Sequence, residues 1–194
     1  TDQKAPEITS TFSDHSLEAD ASCEAILPNY TYNLEAVDNC DWSSALTITQ
    51  TPEPYSVISD TVHEVTLTVT DKSGNSSQTS FNVEIVDNTA PTIACPDNQT
   101  RDLGQEESVY SVTGTEFDPV SISDNCGVVE VSNDFNQTST LDGAEFPSDT
   151  TVVWTVTDEA GNENHCSFEV IINEWVGMNA LLKQSGISVY PNPT

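Results

Sequence analysis

The sequence predicts an all-β protein built as two tandem β-sandwich domains, and three observations carry that expectation. One pattern occurs twice: Ala-Pro, then Asp-Asn-Cys, then Thr-Asp-x-x-Gly-Asn, then Phe-x-Val-x-Ile. The first copy uses Ala5-Pro6, Asp38-Asn39-Cys40, Thr70-Asp71-Lys72-Ser73-Gly74-Asn75 and Phe81/Val83/Ile85. The second uses Ala90-Pro91, Asp124-Asn125-Cys126, Thr157-Asp158-Glu159-Ala160-Gly161-Asn162 and Phe168/Val170/Ile172. Matching positions lie 85 to 87 residues apart, a period long enough for a whole small domain. The second observation is the alternation of apolar and polar residues in runs rich in β-branched side chains, the mark of half-buried strands. The third is that no segment before the C-terminal tail sustains a helical period. Many short strands in about 85 residues point to a two-sheet, immunoglobulin-like sandwich, here repeated end to end.

The elements follow in order. Residues 1–87 form the first domain. Its clearest strand is Val65-Thr66-Leu67-Thr68-Val69-Thr70, followed by a turn at Asp71–Asn75 and a second strand through Phe81/Val83/Ile85. In that turn the glycine supplies a positive φ and the aspartate caps the backbone, which closes the two strands into a hairpin. Val86-Asp87-Asn88-Thr89-Ala90-Pro91 is a short connection whose proline restricts its neighbours, so the domains are expected to form a rod with limited bending. Residues 88–173 repeat the plan, with Val152-Val153-Trp154-Thr155-Val156-Thr157 as the strand before the hairpin turn. Trp154 matches Leu67 and is assigned to the core. Residues 174–194 read as a linker and the start of a further, truncated element.

Charge narrows the function. Four Lys and Arg face 32 Asp and Glu, a formal net charge of -28. Such a surface repels phosphate backbones and anionic lipid heads, which excludes nucleic-acid binding. No stretch is long and apolar enough to span a bilayer as a helix. Acids in this number either solubilise the surface or collect divalent cations.

Five cysteines are present and none makes a C-x-x-C pair, so zinc and thioredoxin-type signatures are lacking. The first copy has Cys23 and Cys40, with polar residues near Ser10 and Thr79 where the second copy has Cys95 and Cys166. The second copy has no cysteine near Val109, where Cys23 would fall. Cysteines that appear and vanish together predict the pairs Cys23–Cys40 and Cys95–Cys166, with Cys126 unpaired. Disulfides imply an oxidising, extracytoplasmic compartment.

In a sandwich of this topology the first strand, the Asp-Asn-Cys loop and the last hairpin turn share one pole. Asp124 and Asn125 are then expected near Asp158 and Asn162, with Asp87 and Asn88 arriving from the connection. The first copy would gather Asp2, Asp38, Asn39, Asp71 and Asn75. Carboxylates and amide oxygens meeting at a domain junction suit Ca2+, a hard cation that takes roughly 6–8 oxygen ligands. Asp-x-x-Gly-Asn is also a good hairpin turn without any metal, so the residues alone leave both readings standing.

Enzyme signatures are absent: no G-x-S-x-G, no Walker loop and no H-E-x-x-H, and His15, His63 and His165 are scattered. Trp42 and Trp175 are candidate sugar-stacking residues.

The repeated residues resemble the HYR (hyalin repeat) family of extracellular immunoglobulin-like modules. The second copy carries most of that pattern in Ala90-Pro91-Thr92-Ile93-Ala94-Cys95-Pro96, Ser123-Asp124-Asn125-Cys126-Gly127, Gly143-Ala144-Glu145-Phe146-Pro147 and Cys166-x-Phe168. The first is similar but divergent. The tail Val189-Tyr190-Pro191-Asn192-Pro193-Thr194 resembles the opening of the C-terminal sorting domain of type IX secretion cargo, with Tyr190, Pro191, Asn192 and Pro193 as its signal. The two resemblances imply a non-enzymatic spacer or adhesive segment of a bacterial cell-surface or secreted protein, handled by the type IX machinery. They leave open binding to extracellular polysaccharide or a surface protein. The alternative is a carbohydrate-binding or accessory module of a secreted hydrolase.

Overall fold

The computed structural model describes residues 2–59 and 61–175. The expected tail, including Tyr190, Pro191, Asn192 and Pro193, lies outside them. The chain divides into two compact units, Thr1–Thr89 and Ala90–Thr194.

Among the described residues each unit is almost all β and carries eight strands. In the first they are β1 (Glu7–Ile8), β2 (His15–Glu18), β3 (Ala25–Ile26), β4 (Ala36–Val37), β5 (Thr47–Thr51), β6 (Val57–Ile58), β7 (Val62–Thr70) and β8 (Ser76–Val86). In the second they are β9 (Thr92–Ala94), β10 (Gln99–Asp102), β11 (Tyr110–Ser111), β12 (Ser121–Ser123), β13 (Val128–Asn133), β14 (Glu145–Phe146), β15 (Thr150–Asp158) and β16 (Glu163–Asn173). The main sheet of the first unit has the order β2-β8-β7-β5, and that of the second β10-β16-β15-β13. In both, the outer strand β2 or β10 runs parallel to the long last strand and the other pairings are antiparallel. The facing layer is built from the pairs β1–β4 and β3–β6, and again from β9–β12 and β11–β14. Strand for strand, the two units share one immunoglobulin-like topology.

The period-two patterning explains which faces are dry. Val65, Leu67 and Val69 of β7 are fully buried and meet Phe81 and Val83 of β8. Val152 and Trp154 of β15 do the same with Phe168, Val170 and Ile172 of β16, and Val156 of β15 is also fully buried. Trp154 is fully buried, as its match with Leu67 predicts, and its indole N–H donates to the Phe117 carbonyl at 3.2 Å. Polar contacts at the margins are satisfied in kind. The buried Gln50 amide donates to the Pro28 carbonyl and accepts from the Tyr30 N–H. Arg101 of β10 donates to the Tyr110 hydroxyl of β11 and pairs with Glu116 at 3.0 Å, its guanidinium 5.1 Å from the centre of the Phe117 ring.

The cysteines differ between the units. Cys95 and Cys166 are bonded, tying the segment after β9 to β16 across the two sheets. A loop of 71 residues closed in this way contributes about 4 kcal/mol in the chain-entropy account. In the first unit the matching positions hold Ser10 and Thr79, and Ser10 Oγ accepts from the Glu35 N–H beside β4. The expected Cys23–Cys40 bond is absent. Cys40 is a free, exposed thiol, whereas Cys23 and Cys126, the latter expected to be unpaired, are both disulfide-bonded. Strand geometry gives the reason. The Asp20–Glu24 turn holding Cys23 follows the Ala19 N–H bond to the Val86 carbonyl, at the C-terminal end of β8. The Asp38–Asp41 turn holding Cys40 sits against the β7–β8 turn at the other end, where the Lys72 N–H reaches Asp41 Oδ2. Eleven strand residues separate these ends, about 33 Å, and a disulfide needs Cα atoms within about 7 Å.

Trp154→Ala is expected to cost about 4 kcal/mol in equilibrium urea unfolding, through the cavity it leaves. Trp154→Phe keeps most of the volume but strips the Phe117 carbonyl of its donor, and should cost about 1–3 kcal/mol. A Trp154→Phe variant as stable as the parent would show that the indole hydrogen bond contributes nothing.

Candidate metal centre

The hairpin turn is the part of the site that the chain fixes most tightly. Asp71 N–H donates to the Asn75 carbonyl, and Asn75 N–H returns a bond to Asp71 Oδ1 at 2.8 Å. Asn75 Nδ2 donates to Asp71 Oδ2 at 2.7 Å. The second copy repeats this: Asn162 N–H reaches Asp158 Oδ1 at 2.8 Å and Asn162 Nδ2 reaches Asp158 Oδ2 at 2.8 Å. Gly74 and Gly161 both have φ of 89°, and a Cβ at either would meet nothing within 4 Å. Glycine is therefore required there by backbone conformation and not by space.

Both turn aspartates are buried, at 6% exposure for Asp71 and 3% for Asp158. Burial pushes each carboxyl up, but the hydrogen bonds outweigh it. The Asn75 side chain and the N–H groups of Asn75, Ser73 and Gly74 hold Asp71 below the usual carboxylate value. The Asn162 side chain and the N–H groups of Asn162, Gly161 and Ala160 do so for Asp158.

The Asp-Asn-Cys loops add a second carboxylate. Asp38 Oδ2 accepts from the N–H groups of Cys40 and Asp41 at 2.7 and 3.0 Å. Asp124 Oδ1 accepts from Cys126 and Gly127 at 2.8 and 3.0 Å. Each turn thus spends one carboxylate oxygen on its own backbone. The other oxygens, Asp38 Oδ1 and Asp124 Oδ2, are buried without a hydrogen-bond partner, as is Asp2 Oδ2. Asp2 comes from the lead into β1, where its Oδ1 accepts from the Lys4 N–H. Asp87 holds the corresponding place in the second copy, with Oδ1 accepting from the Thr89 N–H.

Two groups of three carboxylates result: Asp2, Asp38 and Asp71, and Asp87, Asp124 and Asp158. In each, one oxygen per residue lies within 4.8 Å of the others. Oxygens on a Ca2+ shell of radius about 2.4 Å can be at most about 4.8 Å apart, a condition that every pair in each group meets. The asparagines divide. Asn75 and Asn162 present their amide N–H groups to Asp71 and Asp158 and act as staples of the turn. Asn39 Nδ2 faces Asp2 Oδ1 and the Cys40 sulfur, and Asn125 Nδ2 faces the Cys126 sulfur. Asn88 Nδ2 is turned to Glu18. Beside the first group, partial desolvation and the Asp2 and Asp38 carboxylates push the Cys40 thiol up. Trp42 stands in the same turn region, 84% exposed, and Trp175 is also exposed.

The fold and these clusters define a tandem pair of immunoglobulin-like β-sandwich modules with an acidic pole. Within that class, the family model described as HYR domain matches residues 86–172, which include Asp87, Asp124 and Asp158. Two curated proteins are similar over 110 residues at 32% identity: the Sushi, von Willebrand factor type A, EGF and pentraxin domain-containing protein 1 of Mus musculus and of Rattus norvegicus. The match takes in 56% of this chain and 3% of either relative. Among solved structures, mouse cadherin-23 EC22–24 aligns with a TM-score of 0.44 at 15% identity, covering 88% of this chain and 67% of that one. Drosophila N-cadherin EC1–4 aligns at 0.43 and 14%, covering 89% and 50%. No helix among the described residues is long and apolar enough to cross a membrane.

The lowered folded pKa of Asp71 and Asp158 gives a stabilising contribution that is complete above their unfolded value near 3.8 and is lost as pH falls through the folded value. In the presence of chelator, melting temperature should hold steady from neutral pH and drop below about pH 4. Asp158→Asn should melt lower at neutral pH, because its amide N–H groups would face those of Asn162. The gap from the parent should narrow at about pH 2, where the parent's carboxylate is protonated too. A gap that stays constant across the titration would show that the charge on Asp158 is irrelevant to the turn.

Proposed function

We propose that this chain is a non-enzymatic structural and adhesive segment of an extracellular protein, and that each repeat binds Ca2+ at its three-aspartate pole. The observation that carries the calcium reading is the repetition of one unusual arrangement. Three carboxylates crowd together in each repeat, in a chain of net charge -28, with Asp38 and Asp124 each keeping a buried oxygen that no protein donor satisfies. Like charges this close repel, and a buried acceptor without a partner costs free energy. A divalent ion removes both costs and takes oxygen ligands by preference. The ligands would be Asp2, Asp38 and Asp71 in the first repeat, and Asp87, Asp124 and Asp158 in the second.

The adhesive and extracellular reading draws on the HYR match over residues 86–172 and on the Cys95–Cys166 disulfide, which calls for an oxidising compartment. Export by type IX secretion to a bacterial surface is supported by the sequence Tyr190-Pro191-Asn192-Pro193 alone. A second reading, in which a module binds extracellular polysaccharide, is favoured by the exposed indole of Trp42, since an open aromatic face stacks on sugars.

Calcium at about 100 times its Kd should stabilise the fold by about 2.7 kcal/mol, raising the melting temperature by about 10 °C relative to chelator. Asp38→Asn with Asp124→Asn should abolish most of that rise while leaving the chelated melt close to the parent's. Identical melts in calcium and chelator would remove the metal from the account and leave the hairpin reading of the same residues.

A further inference from the structure

The outer face of one short strand pair differs between the units in a consistent direction. In the first unit Ile26 of β3 and Val57 of β6 stand directly opposite one another, 62% and 59% exposed. By place in the topology their counterparts in the second unit are Ser111 of β11 and Glu145 of β14, also opposite one another and exposed. Two residues before Val57, Tyr55 holds a left-handed backbone with φ of 67° and is 66% exposed. Two residues before Glu145, Gly143 takes the same conformation with φ of 75°, and open space where a Cβ would stand. Each donates its N–H to the buried residue that follows the partner strand, Tyr55 to the Leu27 carbonyl at 2.7 Å and Gly143 to the Val112 carbonyl at 2.9 Å. The pairing therefore puts the two at one position, which glycine adopts freely and tyrosine only with strain. The first unit carries an aromatic ring there without burying it, and strained residues of this kind gather at functional sites.

We propose that Ile26, Tyr55 and Val57 form a docking face for a protein partner that presents an apolar side chain flanked by Lys or Arg. The proposal rests on the adhesive reading and gives it a face, and it does not depend on calcium. Single exposed apolar residues are ordinary. Three on one strand pair, each standing where the other unit has a polar residue or glycine, make a patch of the kind that marks interaction sites. Tyrosine is among the residues that dominate interface energies. Charge selects the partner. Glu24 immediately precedes β3, Glu53 opens the turn that leads into β6, and the chain carries a net charge of -28. A basic rim is complementary to these acids, whereas a second copy of the chain would set like charges against each other. A polysaccharide calls for hydrogen-bonding groups beside the aromatic face, and the side chains of Ile26 and Val57 have none.

The test uses three acetylated heptapeptides titrated into residues 1–194 and followed by amide chemical shifts: lysine alternating with leucine, lysine with serine, and glutamate with leucine. The lysine–leucine peptide should bind about tenfold or more tightly than either of the others, with shift changes gathered at residues 24–27 and 53–58. Ile26→Ser, Tyr55→Gly and Val57→Glu together install the residues of the second unit, and should reduce lysine–leucine binding to the lysine–serine level while leaving the spectrum of the second unit unchanged. Tyr55→Gly alone should weaken binding yet melt no lower than the parent, because the strain it relieves offsets the chain freedom that glycine adds. The adhesive reading is judged separately: beads coated with the parent chain that fail to adhere to the source cells or their matrix would refute that reading, whereas equal adhesion by parent and triple variant would refute the docking face alone. Equal binding of the lysine–leucine and lysine–serine peptides, where charge acts without the apolar face, would overturn the proposal. So would full binding by the triple variant, dimerisation of the parent that the triple variant loses, or shifts at Tyr55 caused by cellohexaose and not by the lysine–leucine peptide.

Discussion

The carboxylate of the hairpin turn sets the geometry on which both units are built. Asp71 and Asp158 each accept a backbone and a side-chain bond from the asparagine four residues on, and so close the turn on a fixed number of residues. A strand pair whose turn length is fixed has a fixed register, and a slip of one residue would put every inward side chain into water. With the register held, Val65, Leu67 and Val69 face Phe81 and Val83 on one side of the sheet, and Val152 and Trp154 face Phe168, Val170 and Ile172 in the other unit. A carboxylate that is nearly buried therefore decides which apolar residues are buried. Its desolvation is tolerated because both of its oxygens are hydrogen-bonded.

The same carboxylate also shapes the pole. Placing one buried anion there raises the cost of every further anion nearby, yet Asp38 and Asp2 in one copy and Asp124 and Asp87 in the other are brought to it. The backbone N–H groups of the Asp-Asn-Cys turn hold one oxygen of Asp38 and of Asp124, and this fixes where the other oxygen points. Stability of the loop and crowding of the acids thus come from one arrangement. A turn that merely needed a cap would be served as well by a neutral serine or asparagine, which would carry no charge into the cluster.

Much of this was legible in the residues. The hairpins announce themselves through strict alternation and through a glycine whose φ of 89° no other residue adopts readily. The convergence of Asp38 with Asp71, and of Asp124 with Asp158, follows once the strands are assigned, because topology decides which loops share an end. The roles of the asparagines were not legible. Whether Asn75 offers its oxygen or its N–H groups depends on a rotation about one bond, and the demand of Asp71 for donors settles it in favour of the N–H groups. Asn88 is adjacent to Asp87 in sequence, but successive residues of an extended chain point to opposite sides, and its amide meets Glu18.

The cysteines show where comparing two copies of a repeat succeeds and where it misleads. Joint absence identifies Cys95 and Cys166 as a pair because both sit within one unit, at positions that Ser10 and Thr79 hold in the other. The same logic applied to Cys23 and Cys40 assumes that every bond is closed within a repeat. The long β8 strand forbids it, since the two turns lie at its opposite ends. Position along the strand order, and not co-occurrence, is what constrains a disulfide in a sandwich: a cysteine at a pole can reach another within its unit only at that same pole. Cys40 stands at a pole where its own unit offers no second cysteine, and a thiol so placed in an oxidising compartment must either remain free or take its partner from elsewhere.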